Sequence, residues 1–119
     1  MLHVPGQTPD AIAFYQLAFG AKVGWATPQA DDMVAQLLVE GAEFWVHPAS
    51  GQYRNPSPLE LGDTPVRLML IVDHPDELFA QAVAAGATVR SPMQDHSYGW
   101  RDGCLIDPFG HRWEIAKQL

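Results

Sequence analysis

Apolar and polar positions along the chain alternate between two periods, and each change of period marks a new element. From Thr8 to Phe19 the residues Ala11, Ile12, Ala13, Phe14, Tyr15, Leu17, Ala18 and Phe19 recur at the three- and four-residue spacing of a helix. Thr8 is the expected N-cap, Pro9 the first helical residue and Gly20 the C-terminal stop. Before this helix, Leu2-His3-Val4 is a short apolar segment that Pro5-Gly6 ends. After it, Lys22 to Thr27 takes the two-residue period of a strand with Val23 and Trp25 on one side, Pro28 to Asp32 reads as a hairpin turn, and Met33 to Glu40 is a further strand. Gly41 turns the chain into Glu43 to His47, where Phe44 and Val46 share one face and Trp45 and His47 the other.

Pro48 to Pro65 has no period and is rich in Pro, Gly, Ser and Asn, which predicts a linker or a segment covering a site. Val66 to Val72 is then a continuous apolar run around Arg67. Asp73-His74-Pro75-Asp76 starts a second helix carrying Leu78, Phe79, Ala82 and Val83, and Gly86 closes it. Ala87 to Arg90 is predicted as a strand, Ser91 to Tyr98 as a polar loop and Gly99 to Ile106 as a strand. In Asp107-Pro108-Phe109-Gly110, Pro108 fixes its own φ and Gly110 permits a positive one, so a tight turn delivers the last strand, His111 to Ala116. Alternation sends Trp113 and Ile115 to the core and Arg112 and Glu114 to the opposite face.

The two halves resemble each other. Pro9-Asp10 through Gly20-Ala21 lines up with Pro75-Asp76 through Gly86-Ala87 at a constant separation of 66 residues, and Gly41 to Val46 lines up with Gly110 to Ile115. The chain is therefore read as one domain, 1–119, of two β-α-β-β-β modules at 1–47 and 66–119 joined by a loop at 48–65. The fold class is α+β, with helices on the outer face and a concave cleft on the other.

Composition narrows the partners. A chain of 119 residues with 47% hydrophobic content can bury a core. Seven Lys and Arg against 14 Asp and Glu give a formal charge of −7, which disfavours nucleic acid or an anionic membrane and favours a cationic ligand. Cys104 is alone, so a disulfide framework is excluded and a small buried hydrophobe is expected. No apolar stretch approaches a membrane span or a signal peptide, and the expected location is the cytoplasm. Neither a Ser-His-Asp order, a phosphate loop nor a paired-Cys spacing is found.

The helix Ala11 to Ala21, the segment Leu78 to Ala87, and above all Tyr98-Gly99-Trp100-Arg101-Asp102-Gly103 with Asp107-Pro108-Phe109-Gly110-His111-Arg112-Trp113-Glu114 resemble the vicinal-oxygen-chelate superfamily. Within it the chain is similar to short glyoxalase/bleomycin-resistance-like proteins. That resemblance covers nearly the whole chain and implies paired modules, a homodimer and a cleft for a small organic ligand. In metal-dependent members four ligands project into the cleft from the first and last strands of the modules. The last-strand Glu matches Glu114, the repeat places Trp45 at the equivalent position of the first module, and Arg67 stands where a His is expected. The repeat mate of Arg67 is Met1 or a residue upstream. Arg has no lone pair to offer a cation, so the expected metal set is none and the expected cofactor none. Arg67 is expected instead to pair with Glu114 through a bidentate contact that water reaches poorly, the alternative being that both are solvated cleft residues. An alternative places a divalent metal on Glu114 with His3 and His47.

Trp45, His47, Arg67, Met69, Trp100, Arg112 and Glu114 are the expected cleft residues, aromatic walls suiting a flat or cationic ligand. Trp113 is expected in the core and Trp25 in the core or a dimer contact. His74 and His111 are expected to be exposed, and His96 to rim the cleft from a loop with Asp95 and Tyr98. Three functions remain open: a metal-free binder that sequesters a small molecule such as an antibiotic, a metal-dependent lyase, isomerase or dioxygenase of the glyoxalase type, and an interaction module with a vestigial cleft.

Overall fold

The computed structural model describes residues 1–29 and 32–119. Its elements run β1 (Leu2–Val4), α1 (Thr8–Phe19), β2 (Lys22–Ala26), β3 (Ala35–Val39), β4 (Ala42–Pro48), α2 (Pro58–Leu61), β5 (Arg67–Ile71), α3 (Pro75–Ala85), β6 (Thr88–Asp95), β7 (Trp100–Ile106) and β8 (Arg112–Gln118). They make two four-stranded mixed sheets, β1-β4-β3-β2 and β5-β8-β7-β6. In each, the first and last strands pair in parallel and the remaining neighbours antiparallel. A parallel pair needs a crossover, and here a helix and two strands intervene. The tandem β-α-β-β-β reading is the observed architecture.

Period two explains which faces are buried. Ala35, Leu37 and Val39 of β3 and Val46 of β4 point into the core, as do Leu70 of β5, Leu105 of β7 and Trp113 and Ile115 of β8. The two sheets share this core. Phe19 of α1 packs on Trp113 with ring centroids 4.9 Å apart, and Phe44 meets the same ring at 5.3 Å. The helices also touch directly, since Gln81 Nε2 of α3 donates to the carbonyls of Leu17 and Ala18 at the end of α1, 3.0 and 3.2 Å away. One carboxylate ties the halves together inside the core. Asp107 Oδ1 accepts the N–H groups of Phe109 and His111, and its Oδ2 accepts the Trp113 indole N–H at 2.8 Å and the Tyr15 hydroxyl.

Several expectations are corrected. Gln7, not Thr8, is the N-cap of α1; Thr8 is the first helical residue and is buried, its hydroxyl donating to the Met33 carbonyl at 2.6 Å. Gly20 closes α1 in the left-handed region as expected. β3 starts at Ala35 rather than Met33. The hairpin expected at Pro28 to Asp32 includes Ala30 and Asp31, which lie outside the described residues; around it, Thr27 and Val34 bond through the Thr27 N–H and the Thr27 hydroxyl. Between Pro48 and Pro65 the chain is not structureless: Ser50 bridges Asn55, and α2 follows with Ser57 as its cap. Ser91 to Asp95, expected as loop, continues β6. Its register slips between Val89 and Ser91 and again between Ser91 and Gln94, so an edge strand accommodates Pro92 at an irregularity.

The register also revises the repeat. In sheet one His3 is paired with His47, and in sheet two Met69 is paired with Glu114. If His3 matches Met69, as the helix separation requires, then the partner of Glu114 in the first half is His47 and not Trp45. No helix among the described residues is long and apolar enough to cross a membrane.

Candidate functional site

On β8 the residues between the core positions Trp113 and Ile115 face away from the helices, and this face carries Arg112 and Glu114. β5 adds Arg67 and Met69 beside them, and β7 adds Trp100, Asp102 and Cys104, the last directly opposite Glu114. A cavity of about 240 Å³ opens here, lined by Met69, Tyr98, Trp100, Asp102 and Glu114.

The expected Arg67–Glu114 pairing is present, but as a single contact and not the bidentate, sheltered one expected. Arg67 Nη1 stands 3.4 Å from Glu114 Oε2, the arginine side chain 62% exposed and the glutamate 14%. At that separation the contact is electrostatic rather than a hydrogen bond of ordinary length, and the solvated arginine compensates the sheltered carboxylate only in part. Arg112 is committed elsewhere, its Nη2 donating to Asp63 Oδ1 at 2.6 Å from the segment after α2. The Thr64 N–H and then the Arg112 charge hold the Asp63 carboxyl below its ordinary value.

Asp102 is a site residue that the sequence reading missed. Its Oδ1 lies 2.9 Å from His96 Nε2, and the His96 ring stacks on Tyr98 at 4.9 Å with an interplanar angle of 8°. His96 thus fixes both a carboxylate and an aromatic wall of the cavity. The phenol of Tyr98 is raised above its ordinary value by desolvation and then by the negative charges of Asp102 and Glu114. The signal was legible: the period of two in the strand after Gly99 puts Trp100 and Asp102 on one face. Cys104 on that face is buried, and burial followed by the Glu114 charge pushes its thiol up, which keeps it protonated and unreactive.

Trp45 and His47, expected in the same cleft, belong to the polar face of sheet one and do not line this cavity. Trp45 lies against Trp25, ring centroids 5.8 Å apart, and Trp25 is an exposed ring rather than a core one. His47 Nε2 is 3.0 Å from Asp32 Oδ1, and its ring meets His3 edge-on at 5.9 Å. Burial, then the charge of His47, lowers the His3 imidazole below its ordinary value. His111 is buried, not exposed: Nε2 donates to the His3 carbonyl at 2.8 Å, linking the turn before β8 to β1. A larger hollow of about 460 Å³ lies by the start of α3, lined in part by Asp73, Asp76, Arg101 and Lys117. Within it Arg101 pairs with Asp76 and also reaches Asp95, and Lys117 donates to the Asp73 carbonyl.

Comparison with known proteins places these features. The family model described as a glyoxalase-like domain matches residues 6–116. An uncharacterized protein of Mycobacterium bovis, Mb0911c, is 35% identical over 115 residues, covering 92% of this chain and 76% of the relative. Among solved structures, TioX from Micromonospora sp. ML1 has a TM-score of 0.75 at 23% identity, with 100% of this chain and 94% of that one covered. The fosfomycin resistance protein FosX from Listeria monocytogenes, complexed with Mn(II) and sulfate, has a TM-score of 0.72 at 18% identity, with 99% and 86% covered.

FosX overturns the expectation that no metal belongs to this site, because the same fold there holds Mn(II). That expectation rested on Arg67 in the place of a His and on Trp45 as the mate of Glu114, and the register puts an imidazole, His47, in the place of Trp45. The alternative of one ion on His3, His47 and Glu114 is not assembled: among the described residues no group of three or more His, Cys, Asp or Glu side chains is arranged to hold a metal. Around Glu114 the fit is poor, since the Arg67 guanidinium, 3.4 Å from its carboxylate, has no lone pair to give a cation.

Proposed function

The chain belongs to the glyoxalase-like domain family, and we propose that it is a binding protein that holds a small organic molecule against the polar face of its second sheet. The observation that carries this reading is the cavity of about 240 Å³ with aromatic walls at Tyr98 and Trp100, an apolar floor at Met69 and carboxylates at Asp102 and Glu114. Concave, mostly apolar pockets with a few converging polar groups are the usual form of small-molecule sites. Arg67 and Glu114 serve as polar anchors, and Arg112 holds the segment around Asp63 over the edge of the site. The exposed Met69, Ile71 and Tyr98 support a homodimer in which a second copy covers part of this face. FosX, as a fosfomycin resistance protein on the same fold, supports including antibiotics among the occupants tested.

The test is a thermal-shift screen of aromatic metabolites and antibiotics, fosfomycin included, run with and without added Mn(II). Binding to the folded form raises Tm by mass action. A compound that raises Tm for the parent protein but not for Trp100→Ala supports the reading, and a screen in which no compound does so rejects it. A second reading is an enzyme with Glu114 as general base, which that residue's sheltered position and single long contact favour. Turnover of glutathione-methylglyoxal adducts or catechols, lost in Glu114→Gln, would select it over the binder.

A further inference from the structure

Resting on the reading that this cavity holds a small molecule, we propose that Asp102 sets its selectivity, and that the occupant is an organic cation whose charged amine lies between Asp102 and Glu114 and whose body stacks on Trp100 and Tyr98. Three features of the geometry converge. β7 sends Trp100 and Asp102 to the face that β8 gives to Glu114, so two carboxylates and an indole share one concave space. The Asp102 carboxylate is aimed: His96 holds Oδ1 at 2.9 Å, while Oδ2 makes no hydrogen bond among the described residues. The negative charge is under-compensated, since among the described residues the only arginine or lysine within ion-pair distance of either carboxylate is Arg67, mostly in solvent and 3.4 Å from Glu114.

Sheltered carboxylates of this kind gain most from a cation that arrives with its own hydrogen-bond donors. Aromatic faces attract the same charge, and their stacking adds contact area. An anion would meet two carboxylates and gain only an arginine that water already solvates. A neutral molecule of the same shape would keep the stacking and forgo the charge. The hollow beside α3, though larger, is a different kind of site, because its lining includes Arg101 and Lys117 and no indole or phenol ring.

Three indoles of similar shape separate these cases: tryptamine as the cation, indole-3-propionamide as the neutral form and indole-3-propionate as the anion, each titrated calorimetrically into the full chain at neutral pH. Tryptamine is expected to bind at least about 10-fold more tightly than the amide, with the propionate weakest. Asp102→Asn is expected to lower tryptamine affinity about 10-fold and leave the amide unchanged, and Glu114→Gln to do the same, so that failure of one variant to fold leaves the other to decide. Equal affinity for amine and amide, preference for the propionate, or no effect of either variant would overturn the inference while the cleft remained a binding site. No binding of any of the three would also overturn it, and the broader screen would then judge the cleft by itself.

Discussion

Residues far apart in the chain meet on Asp107, and the physics of that carboxylate explains why a buried charge is tolerated. Two backbone N–H groups, the Trp113 indole and the Tyr15 hydroxyl all donate to it, which is the satisfaction that a carboxylate out of water requires. Removing one donor in Tyr15→Phe is expected to cost about 1–2 kcal/mol in urea unfolding at neutral pH. The same hydroxyl titrates in an informative direction. Burial first, then the Asp107 charge, raises its pKa well above the ordinary 10.0, so the fold keeps a proton that the unfolded chain releases once pH passes 10.0. Stability is therefore expected to fall as pH rises through that window, and Tyr15→Phe to flatten the slope; an unchanged slope would show that another group sets it. Close approach matters as much at Gly103, where an added Cβ would lie 2.7 Å from the Phe79 ring and from the Met93 sulfur, and 3.0 Å from the Met93 nitrogen. Gly103→Ala is expected to lose about 1–3 kcal/mol. Gly51→Ala, with open space around it and no positive φ, should stay near neutral in the same denaturation series.

At the scale of elements, what the sequence made legible was whatever depends on period and punctuation. Gly20 and Gly86 end the helices where they were expected, and Trp113, Ile115, Arg112 and Glu114 take their expected faces because one alternation decides all four. The Arg67–Glu114 pair followed from the same reasoning. What failed depends on contacts that a single strand does not encode. Pro92 and the polar run around it read as loop, yet β7 pairs with them up to Asp95 through two register shifts. Thr8 read as a cap because capping is local, but the Met33 carbonyl, distant in sequence, claimed its hydroxyl. Parallel register between β1 and β4 was likewise invisible; the adjacency of His3 and His47 that it creates was legible only through the alternative metal set. That adjacency predicts acid sensitivity. Burial and the His47 charge lower the His3 pKa, so as pH falls below 6.5 the unfolded chain takes up a proton before the folded one does, and stability declines. His3→Gln should flatten the dependence between about pH 7 and pH 5, read by denaturant midpoint. An unaltered curve would show that the imidazole pair is relaxed in solution.

Seen as a whole molecule, the protein repeats one module twice, yet the two copies are not independent folding units. Tyr15, Phe19 and Phe44 from the first half and Phe109 and Trp113 from the second make one aromatic cluster with centroid distances between 4.9 and 5.9 Å. Gln81 crosses from α3 to the end of α1, His111 crosses from the turn before β8 to β1, and Tyr15 crosses to Asp107. Cutting between the halves would expose the Trp113 face to water and leave the Asp107 carboxylate without its Tyr15 donor, losses that a module of roughly fifty residues has little surplus to absorb. We therefore expect a single unfolding transition, with tryptophan fluorescence and far-ultraviolet circular dichroism giving coincident denaturant curves. Residues 1–47 and 66–119 expressed separately are expected to be unfolded, and to regain native circular dichroism only when mixed. Two separated transitions, or a half that folds alone with a cooperative melt, would show that the shared aromatic cluster is a contact between finished domains rather than the core on which both sheets depend.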